Sequence, residues 1–208
     1  MTPGTIEYYA QIGEQMLAAD AAYARGERPS TTVKLQTGAL FTPDECRLLV
    51  ECISKYQGRT GLVTSIDGTP VVDAARYAAN ETFFDPTSPD FDWLMQRLGP
   101  HIAEATQQFG LSDLMLVEAA RMVVYSKGGH FNWHPDSSAQ VRRRLTLSLQ
   151  LTPEASYSGG DLILLGKGNE WACADRTHGG ACLFPAELLH RATPIVDGQR
   201  AALIMWFY

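Results

Sequence analysis

The sequence contains no long apolar run, and no segment approaches the roughly 20 consecutive apolar residues that a membrane-spanning helix needs. Its opening stretch, MTPGTIEYYAQIGEQ, has neither the basic region nor the apolar region of a secretion signal. We therefore expect a cytoplasmic protein with no membrane partner.

Positive charge is also scarce, because 17 Lys and Arg stand against 23 Asp and Glu, for a net charge of -6. Proteins that hold a phosphate backbone need a basic field, which this composition does not supply. There is also no stripe of interleaved aromatic and basic residues of the kind that binds single strands. These absences predict no nucleic-acid partner and disfavour a nucleic-acid demethylase.

Cysteine is rare as well, with four residues and no C-x-x-C pair: Cys46, Cys52, Cys173 and Cys182. Without a secretion signal, reduced and buried thiols are the favoured interpretation. Cys173 and Cys182 could still face each other across a hairpin, so their state stays open.

What the chain does contain is enough apolar material, 45% of 208 residues, for one sizeable domain. Helical spacing over residues 5–25 and a capping box that begins at Thr42 predict two helices. A third helical segment contains Pro100, which should end or kink it. We expect residues 1–115 to be mainly helical support.

From residue 116 onward the pattern changes to seven short strands separated by Gly, Pro and Asp. This predicts an antiparallel sandwich or barrel, and so an α+β, mainly β protein of one domain whose β core spans residues 116–208. Between the two parts, residues 58–89 are rich in turn formers and short β-branched runs. They are either a lid over a site or a passive surface excursion.

One predicted strand, RLTLSLQLT, alternates strictly between an apolar and a polar face. The polar face is made by Thr146, Ser148, Gln150 and Thr152. It would either contact water or, if the sheet closes on itself, line a small polar cavity.

The segment HFNWHPD places His134 and Asp136 one residue apart, so that both side chains fall on one side of an extended chain. His190 follows 54 positions after the aspartate, at the start of another predicted strand. Two histidines and one carboxylate with open positions form the facial triad of non-haem Fe(II) oxygenases.

The longer segment YSKGGHFNWHPD resembles the Y-x-x-G-x-x-[FY]-x-x-H-x-D motif of the prolyl-4-hydroxylase-like 2-oxoglutarate/Fe(II) dioxygenases. The strand RLTLSLQL, the SGGDL turn, GACLFP before His190, G-x-R at 198–200 and Trp206 then follow in the family's order. The similarity covers residues 118–208, and GALFTPDEC resembles the family's helical entry more loosely.

This resemblance implies a double-stranded β-helix, the jelly-roll or cupin-like core, with N-terminal helices supporting it. It implies Fe(II), 2-oxoglutarate as cosubstrate, O2, and ascorbate as a reductant that such enzymes can use. The implied metal ligands are His134, Asp136 and His190. The implied cosubstrate residues are Arg200, which would grip the distal carboxylate, with Tyr125, Gln150, Thr146 and Ser148. For the substrate, Arg76 resembles an arginine near the channel, and Trp133 is a candidate wall.

The activity implied is hydroxylation of an unactivated C–H bond, with release of succinate and CO2. We expect an amino-acid side chain of prolyl type in a peptide or protein as substrate. The alternatives are a free or carrier-bound small amino acid or natural product, or a non-catalytic 2-oxoglutarate and metal sensor. Asp136 argues against a halogenase, which has Gly or Ala there. The sequence indicates no oligomeric state.

Overall fold

The structure is a computed structural model that describes residues 5–29, 32–65, 69–115, 118–138, 141–168 and 170–208. Within these ranges there are three α-helices: α1 (Ile6–Ala24), α2 (Pro43–Ser54) and α3 (Pro89–Gln108). The first two predicted helices are confirmed, and α1 matches its predicted bounds to within one residue at each end. The hydroxyl of Thr42 accepts from the backbone N–H of Glu45, whose carboxylate accepts from Thr42 N–H, so the capping box is formed.

The third helix does not end at Pro100 but continues through it to Gln108. Proline removes the hydrogen bond to the carbonyl four residues earlier, that of Gln96. Both residues are exposed, so water can satisfy this carbonyl. Leu98 and Ala105, on either side of the proline, are buried in one core and hold both halves of the helix in place.

The first half of the chain also contributes six strands: β1 (Leu35–Ala39), β2 (Gly58–Thr60), β3 (Val63–Thr64), β4 (Pro70–Val71), β5 (Tyr77–Ala78) and β6 (Asn80–Phe83). Ten strands follow: β7 (Arg121–Tyr125), β8 (His130–His134), β9 (Leu145–Gln150), β10 (Tyr157–Gly159), β11 (Leu162–Leu165), β12 (Trp171–Cys173), β13 (Gly180–Pro185), β14 (Leu189–Ala192), β15 (Ile195–Gly198) and β16 (Arg200–Phe207). All seven strands predicted after residue 116 are present.

The strands form two main antiparallel sheets. The major sheet has the order β1-β13-β9-β16-β7-β6-β2, and the minor sheet has the order β12-β11-β14-β8-β5. Their inner faces meet, since the rings of Phe184 and His190 lie 4.8 Å apart and those of Tyr125 and Tyr77 lie 6.3 Å apart. The described part of the chain is thus mainly β with three α-helices, and its two facing sheets form the predicted jelly-roll core.

The largest apolar core lies on the outer face of the major sheet, under α2 and α3. It includes Leu49, Ile53, Leu94, Leu98, Leu145, Leu147 and Leu149. Because the leucines of β9 point outward into this core, Thr146, Ser148 and Gln150 point inward between the sheets, where all three are buried. The alternating face therefore lines the polar interior rather than contacting water.

Much of the segment at 58–89 is built into the two sheets. β6 pairs with β7, and β5 pairs with β8, so each extends a main sheet at one edge. The short pair β3 and β4 forms a separate ribbon. Residues 66–68, between these two strands, lie outside the described residues.

All four cysteines are free thiols, and burial raises the pKa of Cys173 to about 11 and that of Cys182 to about 12. In the described part of the chain, no helix combines the length and the apolar character required to cross a bilayer.

Candidate active site

A cluster of three potential metal ligands lies between the sheets, on β8, just after it, and on β14. His134 and His190 are cross-strand partners, and Asp136 follows two residues after β8. The His190 Nε2 lies 3.4 Å from one carboxylate oxygen of Asp136, and the His134 Nε2 lies 3.8 Å from the other. One potential ligand atom from each residue lies within 4.8 Å of the other two, so the three can contact one ion.

A β-bulge sets the direction of His134. In the pairing of β8 with β14, His134 opposes His190 and Phe131 opposes Ala192, so β8 has one residue more than its partner. The extra residue places Phe131 and His134 on the same inner face, where their rings stack at 3.4 Å. His130, which simple alternation would put on the ligand side, instead contacts the carbonyls of Gly128 and Ala75.

Both histidine rings are fixed by the same local contact. The Nδ1 of His134 donates to the carbonyl of Asn132 over 2.7 Å, and the Nδ1 of His190 donates to the carbonyl of Leu188 over 2.9 Å. Each ring thereby directs its Nε2 lone pair into the cluster. Burial lowers the pKa of His134 to about 3, and the nearby His190 adds to this effect, so the ring is neutral as a metal ligand must be.

Asp136 is held at its side chain and at its backbone. The hydroxyl of Thr146 donates to the carboxylate over 2.7 Å, and the backbone N–H of Asp136 donates to the carbonyl of Ala186. Burial opposes ionisation, but His190, His134 and the Thr146 hydroxyl together keep the pKa of Asp136 below its ordinary value. Asp136 is therefore a buried anion between the two imidazoles.

A buried cation lies on the inner face of the major sheet. Arg200 begins β16, and its Nε donates to Oε1 of Gln150 over 3.0 Å. The amide of Gln150 in turn donates to the hydroxyl of Tyr157 over 3.0 Å. Gly160, with a φ of +67°, leaves room for this arginine, since a Cβ there would lie 3.3 Å from the Arg200 Cδ.

The structure places the other predicted site residues at different distances from this interior. Tyr125 is buried beside Arg200, whose guanidinium lies 5.9 Å from the phenol ring centroid, and burial raises the pKa of Tyr125. Ser148 is buried on the same face of β9 as Gln150. Arg76 is exposed, yet its charge acts on His134. Trp133 faces the other way, and its indole N–H reaches helix α1.

Two residues at this site were not among the predicted site residues, although each had a weak signal in the sequence. Tyr157 carries the hydrogen bond that holds Gln150, and its only signal was its position just before the SGGDL turn. Phe131 stacks between His134 and Tyr77, and its signal was the aromatic position of the H-x-D motif.

The donor set fits a divalent iron ion. Two imidazoles and one carboxylate are nitrogen and oxygen ligands of the kind that iron accepts in oxygenases, and three ligands leave further positions open. Among the described residues, this is the one group of three or more His, Cys, Asp or Glu side chains that could hold a metal. Fold and site together define the class of jelly-roll proteins with a two-histidine, one-carboxylate centre.

Comparisons with known proteins agree with this class. Residues 120–208 match the family model described as the 2OG-Fe(II) oxygenase superfamily, whose name implies Fe(II), 2-oxoglutarate and O2. A PKHD-type hydroxylase of Psychrobacter sp. is 37% identical over 73 residues, which are 35% of this chain and 28% of that protein. Another, from Nitrobacter winogradskyi, is 27% identical over 178 residues, or 80% of this chain and 74% of that protein. The match to the Psychrobacter protein thus spans under a third of that relative's length.

Solved structures show the same fold. A prolyl-4-hydroxylase of Pseudomonas putida superposes with a TM-score of 0.67 at 19% identity, over 93% of this chain and 98% of that one. A prolyl hydroxylase of Trichoplax adhaerens, in complex with a peptide fragment of a hypoxia-inducible factor, gives a TM-score of 0.69 at 14% identity, over 100% of this chain and 94% of that one. The resemblance to prolyl-4-hydroxylase-like 2-oxoglutarate/Fe(II) oxygenases is confirmed.

Proposed function

We propose that this protein is a 2-oxoglutarate- and Fe(II)-dependent dioxygenase that hydroxylates an amino-acid side chain, of prolyl type, in a peptide or protein. One observation carries the proposal. A cluster of His134, Asp136 and His190 and a buried arginine, Arg200, lie inside the same pair of sheets, as a metal chelated by a dicarboxylate requires. Residues 5–208 would then work as one catalytic unit, in which the helices support the sheets.

Iron would be held by the Nε2 atoms of His134 and His190 and by the carboxylate of Asp136. When bound, it supplies the activation of O2 that is coupled to decarboxylation of 2-oxoglutarate to succinate and CO2. The protein's part is to fix three ligands on one side. Two backbone carbonyls, which accept from the Nδ1 atoms, orient the histidine ligands before the metal binds. The hydroxyl of Thr146 does the same for the carboxylate of Asp136.

Arg200 would bind the distal carboxylate of 2-oxoglutarate. Its hydrogen bond to Gln150 uses Nε, and Tyr157 also bonds to the guanidinium, whose terminal nitrogens would donate to the distal carboxylate in a bidentate geometry. Tyr125, on the neighbouring strand, lies beside the guanidinium and would add a phenol donor. The surrounding side chains Val123, Ala192 and Ile195 are apolar and buried, so they would keep water from the bound cosubstrate.

The substrate class is supported by the relatives, several of which carry hydroxylase names and one of which binds a peptide. On this chain, the ribbon of β3 and β4 and the following turn with Arg76 would form a lid. The carbonyl of Arg76 accepts from the N–H of Asn132, which joins the turn to the strand that bears His134. We propose that closure of this ribbon excludes water when substrate is bound.

The test is succinate release by the full chain with Fe(II) and 2-oxoglutarate, with and without ascorbate. Proline-containing peptides, free amino acids and cell-extract proteins are compared, and products are searched for a gain of one oxygen atom by mass spectrometry. Stimulation by peptides supports the proposal, and stimulation only by free amino acids favours the small-molecule alternative. Binding of 2-oxoglutarate without stimulation by any substrate would favour the sensor.

A further inference from the structure

The outer face of the minor sheet carries a contact directly behind the histidine pair. Trp133 precedes His134, and Arg191 follows His190, so their side chains point outward while the imidazoles point inward. One carboxylate oxygen of Asp20, in α1, accepts from both: from the Trp133 indole N–H over 3.3 Å and from Arg191 over 3.0 Å. The arginine also lies 5.7 Å from the indole centroid.

We propose that Asp20 is a positioning residue for the metal site. It joins β8 to β14 from outside at the two positions next to the histidine ligands, and so fixes the distance and the angle between the two imidazoles. This inference rests on the proposed metal-binding function and adds a residue from α1, a helix that contributes no ligand.

The bulge makes such a contact necessary. Asn132 and Trp133 are the two residues that lie between the paired positions Phe131 and His134, where the hydrogen-bond ladder is interrupted. Asn132 also supplies the carbonyl that orients His134. If the backbone at Trp133 rotates, the carbonyl of Asn132 moves, and so does the His134 ring that donates to it. Asp20 holds Trp133 and thereby holds the bulge.

Attachment of α1 does not by itself account for this cluster. The helix has a second anchor, in which the Tyr23 hydroxyl donates to the buried Asp161, and it also buries Ala19 and Ala22. Around Asp20, moreover, one carboxylate oxygen and the Nε of Arg191 are buried without a hydrogen-bond partner among the described residues. Such atoms cost stability. The cluster is therefore better explained by a role in fixing β8 against β14 than by a role in attaching α1.

The experiment compares five variants of the full chain with wild type: Asp20→Ala, Arg191→Ala, their double variant, Trp133→Phe and, as the matched control, Tyr23→Phe. The control weakens the other anchor of α1 and leaves the strand contact intact. Affinity for Mn(II) is measured by calorimetry, and the visible spectrum of bound Co(II), which reports ligand geometry, is recorded for each. Loss of a direct outer-shell partner typically weakens metal binding about 10–100-fold, so we expect about three- to tenfold for this more distant contact.

We expect Asp20→Ala and Trp133→Phe to weaken Mn(II) binding and alter the Co(II) spectrum, while Tyr23→Phe leaves both unchanged. In addition, Asp20→Ala and Arg191→Ala should be less than additive in metal affinity, because both remove the same contact. Equal weakening by Tyr23→Phe would overturn the inference, since loosening the helix would then be sufficient.

If Asp20→Ala does not fold, Trp133→Phe decides, because it keeps an aromatic ring at this position and removes the N–H donor together with part of the indole. Wild-type affinity and spectrum in that variant would overturn the inference. The proposed function fails in a different way, namely if wild type binds neither Mn(II) nor Co(II).

Discussion

The Nε of Arg200 donates a hydrogen bond to Oε1 of Gln150 over 3.0 Å, between the neighbouring strands β16 and β9. Gln150 is itself fixed, because its amide donates to the hydroxyl of Tyr157 and to the carbonyl of Thr152. The guanidinium therefore has a set orientation before any ligand arrives, which reduces the entropy lost on binding.

We predict that Arg200→Ala raises the apparent Michaelis constant for 2-oxoglutarate about ten- to hundredfold, because a charge-assisted bidentate contact is lost. Affinity for Mn(II) should stay near that of wild type. Arg200→Lys should recover part of the loss, since it keeps the charge without the fork. Arg47→Ala, at an exposed arginine of α2, serves as the control. An unchanged constant in Arg200→Ala would contradict the assignment.

We predict that His190→Ala loses metal binding and 2-oxoglutarate-dependent turnover. Removing a ligand should weaken metal binding by more than the roughly 10–100-fold loss that follows removal of a group bonded to a ligand. The control is His178→Ala, because His178 contacts the carbonyl of Leu151 and is not part of the cluster. Metal content is measured by elemental analysis of both variants. Full metal content in His190→Ala would exclude the cluster as the metal site.

The hydroxyl of Thr146 was predicted as a cosubstrate contact, but here it donates to the carboxylate of Asp136. We therefore predict that Thr146→Val, which keeps the shape and removes the donor, weakens Mn(II) binding about tenfold. Thr146→Ser should restore most of the affinity. Ser148→Ala, on the same face of β9, is the comparison variant, and an equal loss in it would argue against a specific role for Thr146.

Local patterns predicted much of this fold. The capping box at Thr42 depends on four consecutive residues, and the polar and apolar faces of β9 depend on strict alternation, so both can be found without knowledge of the rest of the chain. The alternation could not decide whether its polar face contacts water. That depends on closure of the two sheets, which is a property of distant strands.

Two features depend on tertiary context and could not be predicted from local sequence. The bulge at Asn132 and Trp133 changes which side chains of β8 point inward, and Trp133, the candidate wall of the site, points toward α1 rather than into the site. Likewise, α3 continues through Pro100 because the buried residues on either side of the proline hold it. In each case packing overrides the local rule.

We predict that Arg76→Ala, or a shortened ribbon of β3 and β4, spares binding of metal and 2-oxoglutarate but reduces hydroxylation per decarboxylation. The physical reason is that the ribbon excludes water and orders the substrate, while the ligands lie on other strands. The ratio of hydroxylated product to succinate measures this coupling. Equal ratios in variant and wild type would indicate that the ribbon is a passive surface element.

The last prediction concerns pH and the buried carboxylate of Asp161, which accepts from the Nε of Arg176 over 2.6 Å and from the Tyr23 hydroxyl. Burial opposes its ionisation, but Arg176 and Tyr23 outweigh burial and hold the pKa of Asp161 below its ordinary value. A carboxyl group with a lowered folded-state pKa stabilises the protein above its unfolded pKa of about 3.9. The contribution disappears as the pH falls through the folded-state value.

Asp161→Asn should therefore lower the free energy of unfolding by about 1.5–3 kcal/mol at pH 7, the usual range for hydrogen bonds to a charged group. The difference from wild type should still be full at pH 5 and should then shrink in urea titrations at pH 4 and pH 3. Glu27→Gln is the matched control, because Glu27 and its partner Arg25 are both exposed and their contact is expected to contribute little. A difference for Asp161→Asn that stays constant from pH 7 to pH 3 would mean that the charge of Asp161 does not stabilise the fold, and that shape or hydrogen bonding alone explains the loss.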